Sequence, residues 1–228
     1  MKPRISVTLS ANAGVVIDIG GRRIWVDALH RCKQKGFSTL TPAMQQQMME
    51  QEAFFHPECI AYTHCHPDHY SDRLTKAALK LWPESWMMIP HKTWRNEHCV
   101  VSGDLLLRFI RLPHEGVQYA DVLHYGLIIC YHGRNILIPG DCEVASHALL
   151  DAVGNMPIHL MLLDFPWITL RRGAEFLKAH YPDVPKIVYH LPFEEDDTMG
   201  YRTVTQRRLV DFPEAQMLCE PFQTIVME

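Results

Sequence analysis

Segment 59–70 reads Cys-Ile-Ala-Tyr-Thr-His-Cys-His-Pro-Asp-His-Tyr and places four metal-capable side chains directly after a short apolar run. These side chains are His64, His66, Asp68 and His69. The side chains at 64, 66 and 68 point the same way if the chain stays extended, and a turn adds the fourth. Imidazole and carboxylate suit zinc and other first-row divalent ions. A shuffled chain of this composition is expected to contain the pattern about 0.003 times, so the segment predicts a metal site.

Three more metal-capable residues each stand where an apolar run ends. His114 follows LLLRFIRLP, Asp141 follows ILIPG, and His190 follows KIVY. Side chains at the ends of several strands can converge on one edge of a sheet, where functional sites tend to be built. Taken singly, each residue also has an ordinary interpretation, as a surface histidine or a Gly-Asp turn.

The rest of the chain contains many predicted strands. Residues 15–19 and 22–28 are β-rich runs joined by Gly20-Gly21, a good hairpin signal. Further strands are predicted at residues 5–9, 59–63, 105–112, 125–131, 135–139, 160–165 and 186–190.

Helices are predicted between these strands. Thr41 can cap a helix, Pro42 suits its first position, and the Met-rich run that follows favours a helix to residue 55. This helix, residues 41–55, either packs on the body of the protein or covers the site. Other helices are predicted at 71–82, 144–154 and 169–181. The mixture indicates an α/β or α+β fold rather than an all-β one. Because no linker or repeat divides the chain, we expect a single domain over residues 1–228.

The composition excludes several classes of protein. The chain has 228 residues, with 47% hydrophobic and 21% charged residues, which is typical of a globular protein. The net charge of -4 gives no overall attraction to nucleic acid or to an anionic membrane. The chain has seven cysteines, one of which is Cys32, and no two of them form a C-x-x-C pair. The odd number and the missing pair favour reduced thiols over disulfide bonds. With no signal peptide and no apolar run of ~20 residues, we expect a cytoplasmic protein outside the membrane.

The order H-x-H-x-D-H, a later His, a strand-end Gly-Asp and a final strand-end His resembles that of the metallo-β-lactamase-fold hydrolases. The resemblance covers nearly the whole chain, since the segment 12–27 also looks like the opening strands of that family. It implies an α+β, four-layer αββα sandwich in which helices flank two mixed β-sheets. It also implies a metal site along one edge of the sandwich.

The resemblance further implies how the seven residues share two metal ions. His64, His66 and His114 would hold one ion, and Asp68, His69 and His190 the second. Asp141 would bridge both ions, so that Asp68 and Asp141 are the predicted catalytic carboxylates. Zinc is the first expectation for both ions, with manganese or iron as alternatives.

A pair of divalent ions would supply hydrolytic chemistry. Two ions ~3.5–4 Å apart polarise a substrate oxygen and lower the pKa of water toward 7, which provides hydroxide as the nucleophile. The implied function is a metal-dependent hydrolase that cleaves a small ester, lactone or phosphoester. Ligating imidazoles usually donate their second N–H to an acceptor, and the strand-end residues Asp27 and Asp164 are candidates for this role.

Within the family, the short chain looks most like the group that includes L-ascorbate-6-phosphate lactonase. A phosphosugar substrate needs cationic side chains near the metals, and the pairs Arg22-Arg23 and Arg171-Arg172 are candidates, although solvated pairs are the ordinary interpretation. The expected partner is a small-molecule substrate. Self-association into a homo-oligomer is left open.

Three other functions compete with this hypothesis. A nuclease that cleaves RNA or DNA would need a positive track for the phosphate backbone, which the composition does not favour. An iron-dependent redox enzyme could use the same ligands. A metal-binding protein without catalytic activity is the third alternative. Hydrolysis of penicillins is not expected, because the chain has no secretory signal.

Overall fold

The computed structural model describes residues 2–31 and 36–227; Cys32 therefore lies outside the described residues. Within these ranges the chain forms thirteen strands, six α-helices and four short 3₁₀ helices. The strands are β1 (Ile5–Ala11), β2 (Gly14–Ile19), β3 (Arg22–Val26), β4 (Cys59–Ala61), β5 (Trp86–Met88), β6 (Glu97–Ser102), β7 (Leu105–Arg111), β8 (Tyr125–Tyr131), β9 (Arg134–Ile138), β10 (Leu160–Asp164), β11 (Lys186–Tyr189), β12 (Ala215–Met217) and β13 (Thr224–Met227). The helices are α1 (Pro42–Met48), α2 (Asp72–Leu81), α3 (His147–Val153), α4 (Pro166–Thr169), α5 (Arg171–His180) and α6 (Tyr201–Arg208).

The strands form two mixed sheets of six and seven strands. The first sheet has the order β13-β1-β2-β3-β4-β5, in which β3, β4 and β5 are parallel neighbours and the remaining pairs are antiparallel. The second sheet has the order β12-β11-β10-β9-β8-β7-β6. Strands β9 to β12 are parallel in this sheet, whereas β6 to β9 form an antiparallel meander.

The apolar core explains why the sheets stack. Side chains such as Leu9 and Ile17 from the first sheet and Leu107 and Leu162 from the second belong to one fully buried cluster. A second cluster, which includes Leu163, covers the outer face of the second sheet beneath α3, α4 and α5. Strands buried on both faces have continuous apolar runs rather than alternation, and residues 160–163 read LMLL for this reason. The result is the predicted four-layer arrangement, with helices outside two mixed sheets.

The hairpin at Gly20-Gly21 is confirmed, with Val15 paired with Val26 across β2 and β3. Helix α2 begins after Ser71, whose side chain accepts a hydrogen bond from the Leu74 amide, as its sequence predicts. The helix predicted to residue 55 is wrong in length: α1 ends at Met48, and a separate 3₁₀ turn covers Glu52–Phe54. Met48 is fully buried, so α1 packs on the core.

The sequence prediction is also wrong at other places. Helix α3 begins at His147 and not near residue 144, and a short helix, α4, precedes α5. The prediction omitted β5, β6, α6, β12 and β13. Helix α6 has one buried side chain, Thr205, and therefore lacks the apolar stripe that marks a packed helix.

Among the described residues, no helix combines the length and the apolar character that crossing a lipid bilayer would require.

Candidate metal centre

The seven predicted ligands meet at one edge of the sandwich. His64, His66, Asp68 and His69 lie in the segment after β4 of the first sheet. The second sheet contributes the others from the ends of three different strands: His114 after β7, Asp141 after β9 and His190 after β11. Residues from distant parts of the chain are therefore brought together because both sheets end at this edge.

The first cluster, called triad one, consists of His64, His66 and His114, whose ligand atoms lie within 4.8 Å of one another. The Nε2 atom of His64 and the Nδ1 atom of His66 are 2.9 Å apart. Nitrogen atoms bound to one tetrahedral zinc ion lie roughly 3.3 Å apart, so this pair is somewhat closer than two ligands of one zinc ion.

The second cluster, called triad two, consists of Asp68, His69 and His190, again with ligand atoms within 4.8 Å of one another. Asp141 lies beside both triads: its Oδ2 atom is 3.2 Å from Nε2 of His69 and 3.9 Å from Nε2 of His114. Its Oδ1 atom is 3.4 Å from Nδ1 of His190. The structure thus places Asp141 where the resemblance put a bridging carboxylate.

The fully buried carboxylate of Asp27 orients imidazoles in both triads. It accepts a hydrogen bond from Nδ1 of His69 at 3.0 Å and one from the Thr63 hydroxyl at 2.7 Å. The Thr63 oxygen is then free to accept the Nδ1–H of His64, 2.9 Å away. When these two imidazoles are neutral, as metal ligands are, the proton lies on Nδ1 and the lone pair of Nε2 faces the ligand cluster.

Three ring nitrogens of the predicted ligands have no hydrogen-bond partner and are suited to bind a cation. The Nε2 atoms of His69, His114 and His190 are buried and have no hydrogen-bond partner. Because the Nδ1 atom of His114 donates to the Glu115 carbonyl at 2.9 Å, its Nε2 carries the lone pair. Buried polar atoms without partners are costly, and a metal ion satisfies such nitrogens as well as the nearby carboxylates. The donor set of imidazole and carboxylate therefore fits a site for two divalent ions.

Burial and neighbouring carboxylates shift the pKa values of the two triads in opposite directions. Burial lowers the pKa of His64 well below its usual range and also lowers the pKa of His66, so these imidazoles stay neutral. Burial alone would lower the pKa of His69, but the carboxylates of Asp141 and Asp27 outweigh it and raise this pKa. Burial likewise opposes ionisation of Asp141, yet His69 and His190 hold its pKa well below the usual range.

The backbone is strained at two of these positions. Asp27 and His190 have φ angles of 52° and 57°, in the left-handed region that residues other than glycine rarely adopt. Such conformations persist where the surrounding structure imposes them, and they cluster at functional sites. Here both strained residues direct buried side chains toward triad two.

We expected Asp164 to lie behind a metal-ligating histidine and to accept its second N–H. It lies instead among the ligand atoms. Its carboxylate belongs to the cluster itself, with ligand atoms of Asp141, Asp164 and His190 within 4.8 Å of one another. Its Oδ1 atom is buried without a hydrogen-bond partner. Burial, and then the charge of Asp141, raises the pKa of Asp164 well above its usual range.

The arginine pairs that were candidates for binding a phosphosugar are all paired with carboxylates, and none offers a free cation to the triads. Arg22 is paired with Glu58, and Arg23 is 3.2 Å from Asp18, both on the first sheet away from the triads. Arg171 is paired with Glu175 on the exposed face of α5. Only Arg172 comes near, where it contacts Glu115.

Other side chains at the site had no signal in the sequence. His124 is fully buried, with ring centroids 5.3 Å from His64 and 5.4 Å from His114. Next to it, Gly140 has a φ of 62°, and a Cβ atom there would be 2.8 Å from Nε2 of His124. Phe37, Tyr119 and Phe165 line the cavity beside the triads. Aromatic residues in loops have no periodic pattern, and a lone histidine has no spacing to interpret.

Comparison with known proteins identifies the fold. No family model and no curated protein match the chain. An isothiocyanate hydrolase from Delia radicum gut bacteria is 14% identical, with a TM-score of 0.64 over 98% of this chain and 99% of that one. The metallo-β-lactamase fold protein YhfI from Bacillus subtilis is 10% identical, with a TM-score of 0.63 over the whole of both chains. The diiron β-hydroxylase CmlA from Streptomyces venezuelae is 14% identical, with a TM-score of 0.61 over 99% of this chain and 54% of that one.

Several neighbours are thus named as hydrolases, and one is a diiron hydroxylase. At these identities the likeness concerns the fold alone. Together with the two mixed sheets and the flanking helices, it shows that the chain has the metallo-β-lactamase fold.

Proposed function

We propose that this protein is a metal-dependent hydrolase that cleaves a small ester, lactone or phosphoester. The observation that carries the proposal is the meeting of seven side chains from two sheets in two ligand triads with Asp141 between them. The hydrolases among the structural neighbours support the same reaction class.

In this proposal triad one and triad two would each hold a divalent ion, with zinc expected first and manganese or iron as alternatives. Such ions supply Lewis acidity toward the substrate oxygen and activate water at neutral pH. The chain's own residues provide the geometry. Asp27 and Thr63 keep the lone pairs of His64 and His69 directed into the site. Asp68 and Asp141 line the cavity, where a carboxylate can accept a proton from the attacking water.

The test is an activity screen of the full chain after purification with zinc, manganese or iron restored. Lactones, esters, thioesters and phosphodiesters are the substrates, and His66→Ala and Asp141→Asn are the inactive controls. We expect turnover of at least one class that depends on added metal and is lost in both variants. Metal-independent turnover, or full activity in the variants, would contradict the proposal.

An iron-dependent redox enzyme is the second candidate, because a diiron hydroxylase shares this fold. Elemental analysis of the protein as purified from its native host separates the two. Iron together with substrate-dependent oxygen consumption would favour the redox enzyme, whereas zinc or manganese without oxygen consumption would favour the hydrolase.

The proposal also covers the type of substrate and the cellular location. We also propose that the chain is lactonase-like, and the screen therefore includes lactones with and without a phosphate group. We further propose a cytoplasmic location, since Cys59, Cys65, Cys99, Cys130, Cys142 and Cys219 are all free thiols.

A further inference from the structure

A cavity of about 400 Å³ opens beside the triads and is large enough for a small organic molecule. The ligand residues His66, Asp141 and His190 contribute to its lining, and so do Phe37, Phe165 and Tyr119. Phe37 lies beside triad two, whereas Tyr119 lies beside triad one. The chemistry of these two parts of the lining indicates what kind of substrate fits the cavity.

The wall beside triad two is a group of three packed rings. Phe37 stacks on Tyr201 with ring centroids 5.6 Å apart, and Tyr201 contacts Phe165 at 4.6 Å. The Phe37 ring also lies 5.3 Å from the ring of His190. Because each ring is held by the others, Phe37 and Phe165 present a pre-organised apolar surface next to a predicted ligand. We call Phe37, Phe165 and Tyr201 the aromatic wall.

Tyr119, in contrast, packs against triad one. Its ring centroid is 5.0 Å from that of His66 and 4.8 Å from that of His114. Tyr119 belongs to a 3₁₀ turn and is 39% exposed, so it forms the rim of the cavity. A molecule in the cavity therefore meets Tyr119 beside triad one and the aromatic wall beside triad two.

The charged groups of the cavity lining do not favour an anionic substrate. Among the described residues that line it, the acidic residues are Asp68, Glu115, Asp141 and Asp164, and none is a lysine or an arginine. The nearby Arg172 is already paired with Glu115. Sites for phosphorylated molecules normally offer arginine, lysine or a run of backbone amides to the phosphate. Beyond the predicted ligands, a phosphate group would meet aromatic rings and Glu115, which Arg172 already pairs, but no free lysine or arginine of the lining.

We propose that the substrate is a neutral ester or lactone whose aromatic or other apolar group packs on Phe37 and Phe165, and that phosphorylated substrates are excluded. This inference rests on the proposed hydrolase function and narrows its substrate class. In the reaction, the oxygen of water bonds to the acyl carbon, the bond from that carbon to the alcohol oxygen breaks, and the alcohol leaves with a proton.

The experiment uses substrates matched in their reacting group. Ethyl phenylacetate is compared with ethyl acetate, and 5-phenyl-γ-butyrolactone with γ-butyrolactone, on the full chain with metal restored. Ethyl phenyl phosphate, a phosphodiester that carries one ethyl and one phenyl group, is the phosphate-containing comparison. We expect kcat/KM to favour the phenyl-bearing member of a neutral pair by at least ~10-fold, since one well-packed apolar group is worth about that much. The phosphodiester should be the poorest substrate.

Variants of the aromatic wall test whether the rings cause this preference. Phe165→Ala should reduce the phenyl preference to about threefold or less, mainly through KM, and Phe165→Tyr should retain it. Phe37→Ala provides a second, independent truncation if Phe165→Ala does not fold. An unchanged preference in the alanine variants, or faster turnover of ethyl phenyl phosphate than of the esters and lactones, would overturn the inference while leaving a metal-dependent hydrolase.

A binding measurement separates failure of this inference from failure of the hydrolase proposal. Calorimetric titration of the metal-loaded full chain with 2-phenylethanol, which has no bond to hydrolyse, should show binding that Phe165→Ala weakens at least ~5-fold. If no substrate is turned over but this difference is found, the hydrolase proposal fails and the aromatic wall remains a ligand surface. If 2-phenylethanol binds equally to both proteins or to neither, the inference is wrong.

Discussion

The two triads contain three ligands each but differ in charge and in support. Triad one consists of imidazoles only, and its members are oriented by Thr63 and by the carbonyl of Glu115. Triad two contains a carboxylate, Asp68, and its His69 donates directly to the buried Asp27. Asp141 also lies closer to triad two, at 3.2 Å from His69 against 3.9 Å from His114.

The two triads have the same number of ligands, but their different charge implies different affinities and preferences for metal ions. Because triad two has more negative charge and a carboxylate oxygen, we expect it to bind divalent ions first and to accept manganese or iron. Triad one, with nitrogen ligands only, should prefer zinc. The substitutions below alter the ligands of the two triads, and then the residues that orient these ligands, and compare the effects.

The largest effect is expected from Asp141→Asn, because Asp141 is adjacent to both triads. Removing its charge should lower kcat/KM at least about a thousandfold and reduce the metal content below two ions per chain. Steady-state kinetics and elemental analysis on the same sample measure both. A variant with two tightly bound ions and near-normal activity would show that Asp141 does not join the sites.

The next comparison removes one ligand from each triad. His66→Ala should empty triad one alone and His190→Ala triad two alone, so each variant should retain about one ion per chain. His190→Ala should also leave the remaining ion in an all-nitrogen site that prefers zinc over manganese. Competition between the two metals, followed by elemental analysis, provides the measurement. Loss of both ions in each variant would mean that the triads are one cooperative site.

A smaller effect is expected when the hydrogen bonds behind the ligands are changed. Asp27→Asn keeps the shape and suits the left-handed backbone at this position, where φ is 52°. It should weaken metal binding roughly 10–100-fold at both triads, because Asp27 contacts His69 directly and His64 through Thr63.

Thr63→Val is the matched control for this change. It removes the link to His64 but leaves the contact between Asp27 and His69, so it should weaken triad one only. Metal titrations with a competing chelator measure the two affinities. Equal losses at both triads in Thr63→Val would contradict the assigned hydrogen-bond chain.

The smallest effect is expected in the pH dependence of the free energy of unfolding, and it concerns His30. His30 is fully buried, and burial lowers its pKa to about 4 although the carbonyl of Ala11 partly opposes this shift. In the unfolded chain its pKa is about 6.5, so between pH 6.5 and 4 the unfolded state binds more protons. The free energy of unfolding should therefore fall by on the order of 3 kcal/mol as the pH is lowered through this range.

His30→Gln has no titrating group at this position and should flatten that part of the pH profile. Urea unfolding at several pH values between 7 and 4, with a chelator in both samples, compares it with the natural chain. Parallel profiles for the two proteins would show that His30 does not contribute.

The candidate site was easier to predict than the whole fold. Four of its side chains lie within six residues, and three more follow apolar strands, but these three were joined to the cluster only by the resemblance to a known family. The cavity walls depend on contacts between segments far apart in the sequence: Phe37 meets Phe165 and Tyr201 only in the folded protein. Strand β13 escaped prediction for a similar reason, because its partner β1 lies more than 200 residues earlier in the chain.

Each triad takes ligands from both sheets, since His64 and His66 join His114, and Asp68 and His69 join His190. An ion held in this way ties the two halves of the sandwich together at their open edge. Metal supply should then control folding as well as chemistry: occupancy at 100 times the dissociation constant adds about 2.7 kcal/mol per independent site to the free energy of unfolding. A cell starved of the native metal would lose this protein to proteolysis as well as losing its activity.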